Sequence, residues 1–109
     1  LLVNVTSDVW FPHSRLPIQH LEHGRLRTVE NGVPLVRACN TGVTAAVDAL
    51  GRTIEAFGDA DGPYEWKSGA LYVQVPLFRY DTLYRWIGQD WVLGIAAVLF
   101  GLGFLPRRS

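Results

Sequence analysis

The stretch Leu1-Leu-Val-Asn-Val-Thr-Ser-Asp-Val-Trp-Phe11 decides how the chain is read. It opens as an apolar strand. Its polar residues Asn4, Thr6, Ser7 and Asp8 gather where such a strand would leave its sheet, and Trp10 and Phe11 follow at once. In layered folds of helices and sheets, sites are built at strand ends and on the loops that leave them. By pattern alone, this is a core strand followed by a capped turn, with the two aromatics plugging the sheet end.

Working outward, Pro12 and Pro17 break any regular element between Val9 and Leu16. Pro17 suits a first helical turn, and the spacing predicts a helix from Pro17 or Ile18 to Glu30, with Ile18, Leu21, Leu26 and Val29 as its apolar stripe. Gly32 is placed to end it in the left-handed conformation, and Pro34 prevents it from resuming. The opposite face carries His20, His23, Arg27 and Glu30 at spacings of three, four and three, with Arg25 at the boundary. His20 and His23, even with His13, lack the carboxylate or thiolate that would complete a ligand set, so no metal is expected.

Beyond the helix the period changes. Residues 35–39 read as a short buried strand, Asn40-Thr-Gly42 as a turn in which Gly42 takes positive φ, and residues 43–48 as the return strand. A turn at Leu50-Gly51-Arg52 leads to a third strand over residues 53–57, an antiparallel meander. Residues 58–63 are turn formers with too few acids for a calcium loop. Residues 69–76 alternate Leu71, Val73 and Val75 with Ala70, Tyr72 and Gln74, which predicts another strand.

The C-terminal quarter has a different character. Arg79, Tyr80, Tyr84, Arg85, Trp86 and Trp91 are the cations and aromatics of a membrane interface. Residues 91–105 carry no charge, and as a helix would measure about 22 Å, short of a bilayer core of about 30 Å. Trp86-Ile87 can extend that segment, Arg107 and Arg108 can snorkel, and Gly94, Gly101 and Gly103 suit packing between membrane helices. A transmembrane helix is expected, with its C-terminus in the cytoplasm by the positive-inside rule.

Composition sets limits on function. Ten Lys+Arg balance ten Asp+Glu over 109 residues, so nothing argues for a nucleic-acid partner. Hydrophobic residues make up 49%, enough for a core. There is no Met and the chain opens in mid-strand, so it reads as the C-terminal piece of a longer protein. Cys39 is the only cysteine, which excludes an intrachain disulfide. A nucleophilic role would need a neighbouring base. Arg37 can share its face but no base is evident, so a structural thiol is expected.

The segment Asn4-Val-Thr-Ser-Asp-Val-Trp-Phe11 resembles the one that follows the nucleophile in the carbon–nitrogen hydrolase (nitrilase) superfamily. Gln19-His20, Arg25-Leu-Arg27 with Glu30, Gly32-Val-Pro34-Leu-Val-Arg37 and Asn40-Thr-Gly42-Val-Thr44-Ala resemble the helix, strand and hairpin of its lipoprotein-acylating branch, as does an apolar end closing in Pro106-Arg-Arg108. Ser7, where Asn is usual, and Pro12, where Gly is common, depart from the pattern.

The resemblance implies an α+β fold. Residues 1–83 would be the C-terminal part of a nitrilase-like α-β-β-α sandwich domain, and residues 84–109 an interfacial segment with one transmembrane helix. It implies transfer of an acyl chain from a phospholipid donor to the N-terminal cysteine of an apolipoprotein acceptor, through a thioester and without a cofactor. The place would be the bacterial inner membrane, with the globular domain extracytoplasmic. The catalytic Glu, Lys and Cys are expected upstream, so this chain holds none of them and alone is expected to be inactive. Trp10 and Phe11 are expected to bind substrate, Phe11 being the more core-like of the two. Asp8, His20, Arg25, Arg27 and Glu30 are expected to be supporting polar residues, which requires each charge to be paired. Two other readings stand beside this one: a non-catalytic membrane-anchored binding module, and part of a nitrilase-type amidase.

Overall fold

The computed structural model of the chain describes residues 1–11, 13–57 and 68–103. Pro12, the turn formers at 58–63 and the terminal Arg107 and Arg108 lie outside the described residues. Seven elements follow in order: β1 (Leu2–Ser7), α1 (Leu16–Asn31), β2 (Leu35–Asn40), β3 (Thr44–Val47), β4 (Thr53–Phe57), α2 (Leu83–Ile87) and α3 (Asp90–Gly103). The strands form one sheet in the order β1-β2-β3-β4. β1 and β2 are parallel, with Leu2 opposite Leu35 and Ser7 opposite Asn40. Parallel neighbours need a crossover connection, and α1 supplies it. β2, β3 and β4 make the expected antiparallel meander, with an irregularity in register at Ala46 and Val47.

The core is small and lies on the middle strands. Leu35, Val43, Ala45, Ala46, Val47 and Ala49 are all buried. Helix α1 starts with Pro17 in its first turn and ends at Gly32, which adopts φ 63° as expected. Its contact face differs from the expected stripe. The residues buried on it are Pro17 and Thr28, while Ile18, Leu26 and Val29 are exposed. Close approach explains this: a Cβ on Gly24 would come within 2.8 Å of Leu35 Cδ2. Small residues let the helix sit low on the sheet and leave the large apolar side chains at its flanks.

Within this chain, β1 is less covered than its composition suggests. Val3 is 70% exposed and Val5 79% exposed. Among the described residues β1 stands at the end of the strand order with one edge paired, and no described element covers these two valines. The alternation at 69–76 survives as alternating exposure, with Leu71, Val73 and Val75 half-buried and Tyr72 and Gln74 exposed, but the segment is extended without strand pairing. It runs beside β1, β2 and β3, and Gly69 lies against the Phe57 ring.

The end of α1 is pinned from the far side of the chain. Tyr80 N–H donates to Gly32 O (3.0 Å), Tyr80 Oη donates to Val29 O (3.3 Å) and Thr82 Oγ1 donates to Glu30 O. Thr82 also caps α2 by accepting from Arg85 N–H (3.1 Å). α3 is a helix, but a 14-residue one, about 21 Å long. Among the described residues no helix is long and apolar enough to cross a membrane. The expected transmembrane helix is therefore not found: the regular helix begins at Asp90 and its described part is shorter than a bilayer core of about 30 Å.

Candidate functional site

The polar end of β1 is where the structure concentrates its buried charge. Asp8 and Arg37 are 3% and 4% exposed. Asp8 Oδ1 lies 2.7 Å from His20 Nδ1, and Asp8 Oδ2 accepts from Arg37 Nη2 (3.1 Å) and from Cys39 Sγ (3.3 Å). Arg37 donates through Nε to Val43 O (3.1 Å) and through Nη1 to Asn4 Oδ1 (2.9 Å). A buried charge is tolerable only when paired and hydrogen-bonded, and both members of this pair are.

Backbone contacts extend the cluster into two loops. Asp8 N–H donates to Asn40 O (3.2 Å), which carries the β1–β2 pairing one step past the strands. Phe11 N–H donates back to Asp8 O (3.2 Å) and closes the turn that carries Trp10. Ser14 Oγ donates to Phe11 O (2.8 Å) and accepts from Leu16 N–H (3.3 Å), joining that turn to the start of α1. On the other side, a Cβ on Gly42 would collide with the Asp8 carboxylate and the Cys39 sulfur. Gly42 is thus required for space. The positive φ expected of it belongs instead to Thr41, at 64°.

Trp10 is 81% exposed and Phe11 57% exposed. Neither plugs the sheet end, and Phe11 is not a core residue of this chain.

Of the five polar residues expected to support the site, Asp8 and His20 meet directly. The others lie along α1. Arg25 bridges from Nε to Gly51 O (2.7 Å) and from Nη1 to Glu22 (2.8 Å), so it ties α1 to the β3–β4 turn. Arg27 and Glu30 pair with each other at 2.7 Å on the helix surface. His20 borders an open groove of about 410 Å³ between β1 and α1, lined also by Asn4, Thr6, His23 and Arg27.

Sequence reading missed the central role of Arg37. The signal was present: a guanidinium inside the apolar run Leu-Val-Arg-Ala-Cys must find a buried anion. Asn4 and Gly42 became partners only through β1–β2 pairing and the hairpin, which local spacing does not reveal.

Protonation follows from these contacts. Burial alone would raise the Asp8 pKa, but hydrogen bonds from His20 and Cys39 and the charge of Arg37 outweigh it and hold the carboxyl below its ordinary 3.8. Burial, together with the hydrogen bond and charge of Asp8, pushes the Cys39 thiol up. A raised thiol pKa leaves little thiolate at neutral pH, the opposite of an activated nucleophile. Because the folded-state pKa of Asp8 is depressed, its stabilising contribution is full above the unfolded value and is lost as pH falls through the folded one. Unfolding free energy should therefore drop with acid below about pH 4 in the native chain, and that part of the slope should disappear in Asp8→Asn. Urea titrations at several pH values check this. An unchanged slope in Asp8→Asn would show that another carboxylate carries it.

The parallel β1–α1–β2 unit, the polar cluster at the end of β1 and the meander after it define the class. Residues 1–84 match the model of the carbon–nitrogen hydrolase family, and the chain belongs to that family. Curated relatives that it matches include apolipoprotein N-acyltransferases. That of Chlamydia pneumoniae is 49% identical over 99% of this chain and 20% of its own length. That of Chlamydia trachomatis serovar D is 47% identical over 100% of this chain and 20% of its own length. That of Shewanella oneidensis is 38% identical over 100% of this chain and 20% of its own length. The chain thus spans about a fifth of the length of these relatives.

Proposed function

We propose that this chain forms the C-terminal part of an acyltransferase that N-acylates the N-terminal cysteine of apolipoproteins, with a phospholipid as acyl donor. The observation that carries this reading is 36–49% identity, over most of the chain, to relatives named apolipoprotein N-acyltransferase. In this reading residues 1–83 belong to the nitrilase-like domain, and residues 84–109 are an interfacial and apolar segment.

The chemistry would run in two steps on residues outside this chain. A cysteine thiolate attacks the phospholipid ester carbonyl and expels the lysophospholipid alkoxide, which takes up a proton. The acceptor's amine then attacks the thioester, forms the amide and returns the thiol. The part of this chain is to wall the site. Trp10 offers a broad apolar face and one N–H donor, which suits an acyl chain where it meets a polar head, and Phe11 adjoins it. Asp8 and His20 hold the turn beneath them, with Arg25, Arg27 and Glu30 bracing the helix behind.

α3 supports a place at the bacterial inner membrane, with the folded domain on the extracytoplasmic side. None of its residues is buried against the rest of the described chain, and a helix that is apolar around its circumference needs an apolar environment.

Trp10→Ala in the full-length enzyme tests the wall. In this chain taken alone the side chain is 81% exposed, so there its loss should change stability by no more than about 0.5 kcal/mol. Turnover should fall by about tenfold or more, and Trp10→Phe should recover most of it. Normal thioester formation and normal transfer in a well-folded Trp10→Ala enzyme would refute the role.

A further inference from the structure

Arg37 joins two loops that lie far apart along the chain, the turn at residues 8–11 and the hairpin at residues 40–43. From β2 it reaches Asn4 on β1, the Asp8 carboxylate at the base of the Trp10 turn, and Val43 O on the far side of the hairpin. Each contact uses a different nitrogen of the guanidinium. The hairpin is held against the turn by Asn40 O, which accepts from Asp8 N–H (3.2 Å), and by Gly42, which fits against the Asp8 carboxylate. Between them Thr41 adopts φ 64°, a conformation that a β-branched residue seldom takes and that persists only where its surroundings fix it. Its Oγ1 donates to Asn40 O (2.6 Å). The hairpin tip and the Trp10 turn are thus two loops locked to one buried cation.

We propose that Arg37 is a positioning residue for the acyl transfer: by clamping the hairpin at residues 40–43 to the turn at residues 8–11, it sets the orientation in which Trp10 meets substrate. The proposal rests on the acyltransferase reading given above. Arg37 touches no reacting atom. It acts through Asp8 and the Val43 carbonyl, and the fork geometry is what matters. A lysine at this place keeps the charge beside Asp8, but one ammonium cannot serve three acceptors spread over two strands and a hairpin.

The test is a coupling experiment in the full-length enzyme with a phospholipid donor and a lipopeptide acceptor. Arg37→Lys should lower kcat by about tenfold, since small misplacements of a positioned wall are costly to turnover. The double variant Arg37→Lys/Trp10→Ala should be no slower than Trp10→Ala alone, because Arg37 acts through the turn that Trp10 occupies. Asn4→Ala, at an exposed strand position, removes one acceptor of the clamp without burying a new group. It should show a smaller loss, about threefold, that likewise vanishes in the Trp10→Ala background. It also carries the test should Arg37→Lys fail to fold. Losses that multiply in the double variants, or wild-type turnover in both Arg37→Lys and Asn4→Ala, would overturn the positioning role while leaving the acyltransferase reading intact. Absence of acyl transfer by the unmutated enzyme would overturn both.

Discussion

Asp8→Ala is expected to lower the free energy of unfolding by about 3–5 kcal/mol. The cost comes from the partner left behind. Arg37 is 4% exposed, and without Asp8 its Nη2 loses the one carboxylate bonded to it among the described residues. Removing one member of a buried ion pair is far more damaging than replacing both, because the remaining charge stays desolvated. The Cys39 thiol and the His20 ring lose an acceptor at the same time. Asp8→Asn keeps the shape and one acceptor oxygen, so its cost should be smaller, about 1–3 kcal/mol. Urea unfolding of the three proteins at neutral pH decides the matter. A loss below 1 kcal/mol in Asp8→Ala would mean that water reaches Arg37 and that the cluster is not closed.

Gly32→Ala should cost about 2–5 kcal/mol and loosen the segment that leads into α2. Two separate effects add. At φ 63° an alanine sits in the left-handed region, which costs an L-residue about 1–2 kcal/mol. Its Cβ would also fall on the backbone carbonyl of Tyr80. That carbonyl cannot move aside by changing rotamer, and its residue is fixed by Tyr80 N–H to Gly32 O and Tyr80 Oη to Val29 O. Overpacking against immobile groups typically costs a further 1–3 kcal/mol. Besides the fall in stability, amide exchange at Tyr80 should quicken, because its acceptor is Gly32 O itself. Slow exchange at Tyr80 in a Gly32→Ala chain of native stability would show that the contact is looser than described.

Gly32 shows how far local sequence reaches. A glycine after a helical stripe and two residues before a proline states a helix end, and the left-handed cap follows from the missing Cβ alone. The same kind of local rule placed α1, the three strands of the meander and the turn at Gly51. Gly42 shows where it stops. Its surroundings are Asp8 and Cys39, far away in sequence, and the need for a glycine there is a matter of space that only the folded chain creates.

The sequence by itself determined the family, the strand–helix–strand unit followed by a meander, and Asp8 and His20 as polar residues worth watching. These are properties of periodicity, turn chemistry and short motifs, which act over a few residues. Only the tertiary structure decided that Arg37 is the hub and that, among the described residues of this chain, Trp10 and Phe11 are exposed and β1 ends the strand order with Val3 and Val5 uncovered. It also left Ile18, Leu26 and Val29 of α1 exposed, with Leu21 half-buried, and residues 69–76 without strand pairing. The physical reason is the same in each case. Burial and pairing are set by which segments pack together, and a parallel pairing such as β1 with β2 brings together residues about 33 positions apart, beyond the reach of any local pattern.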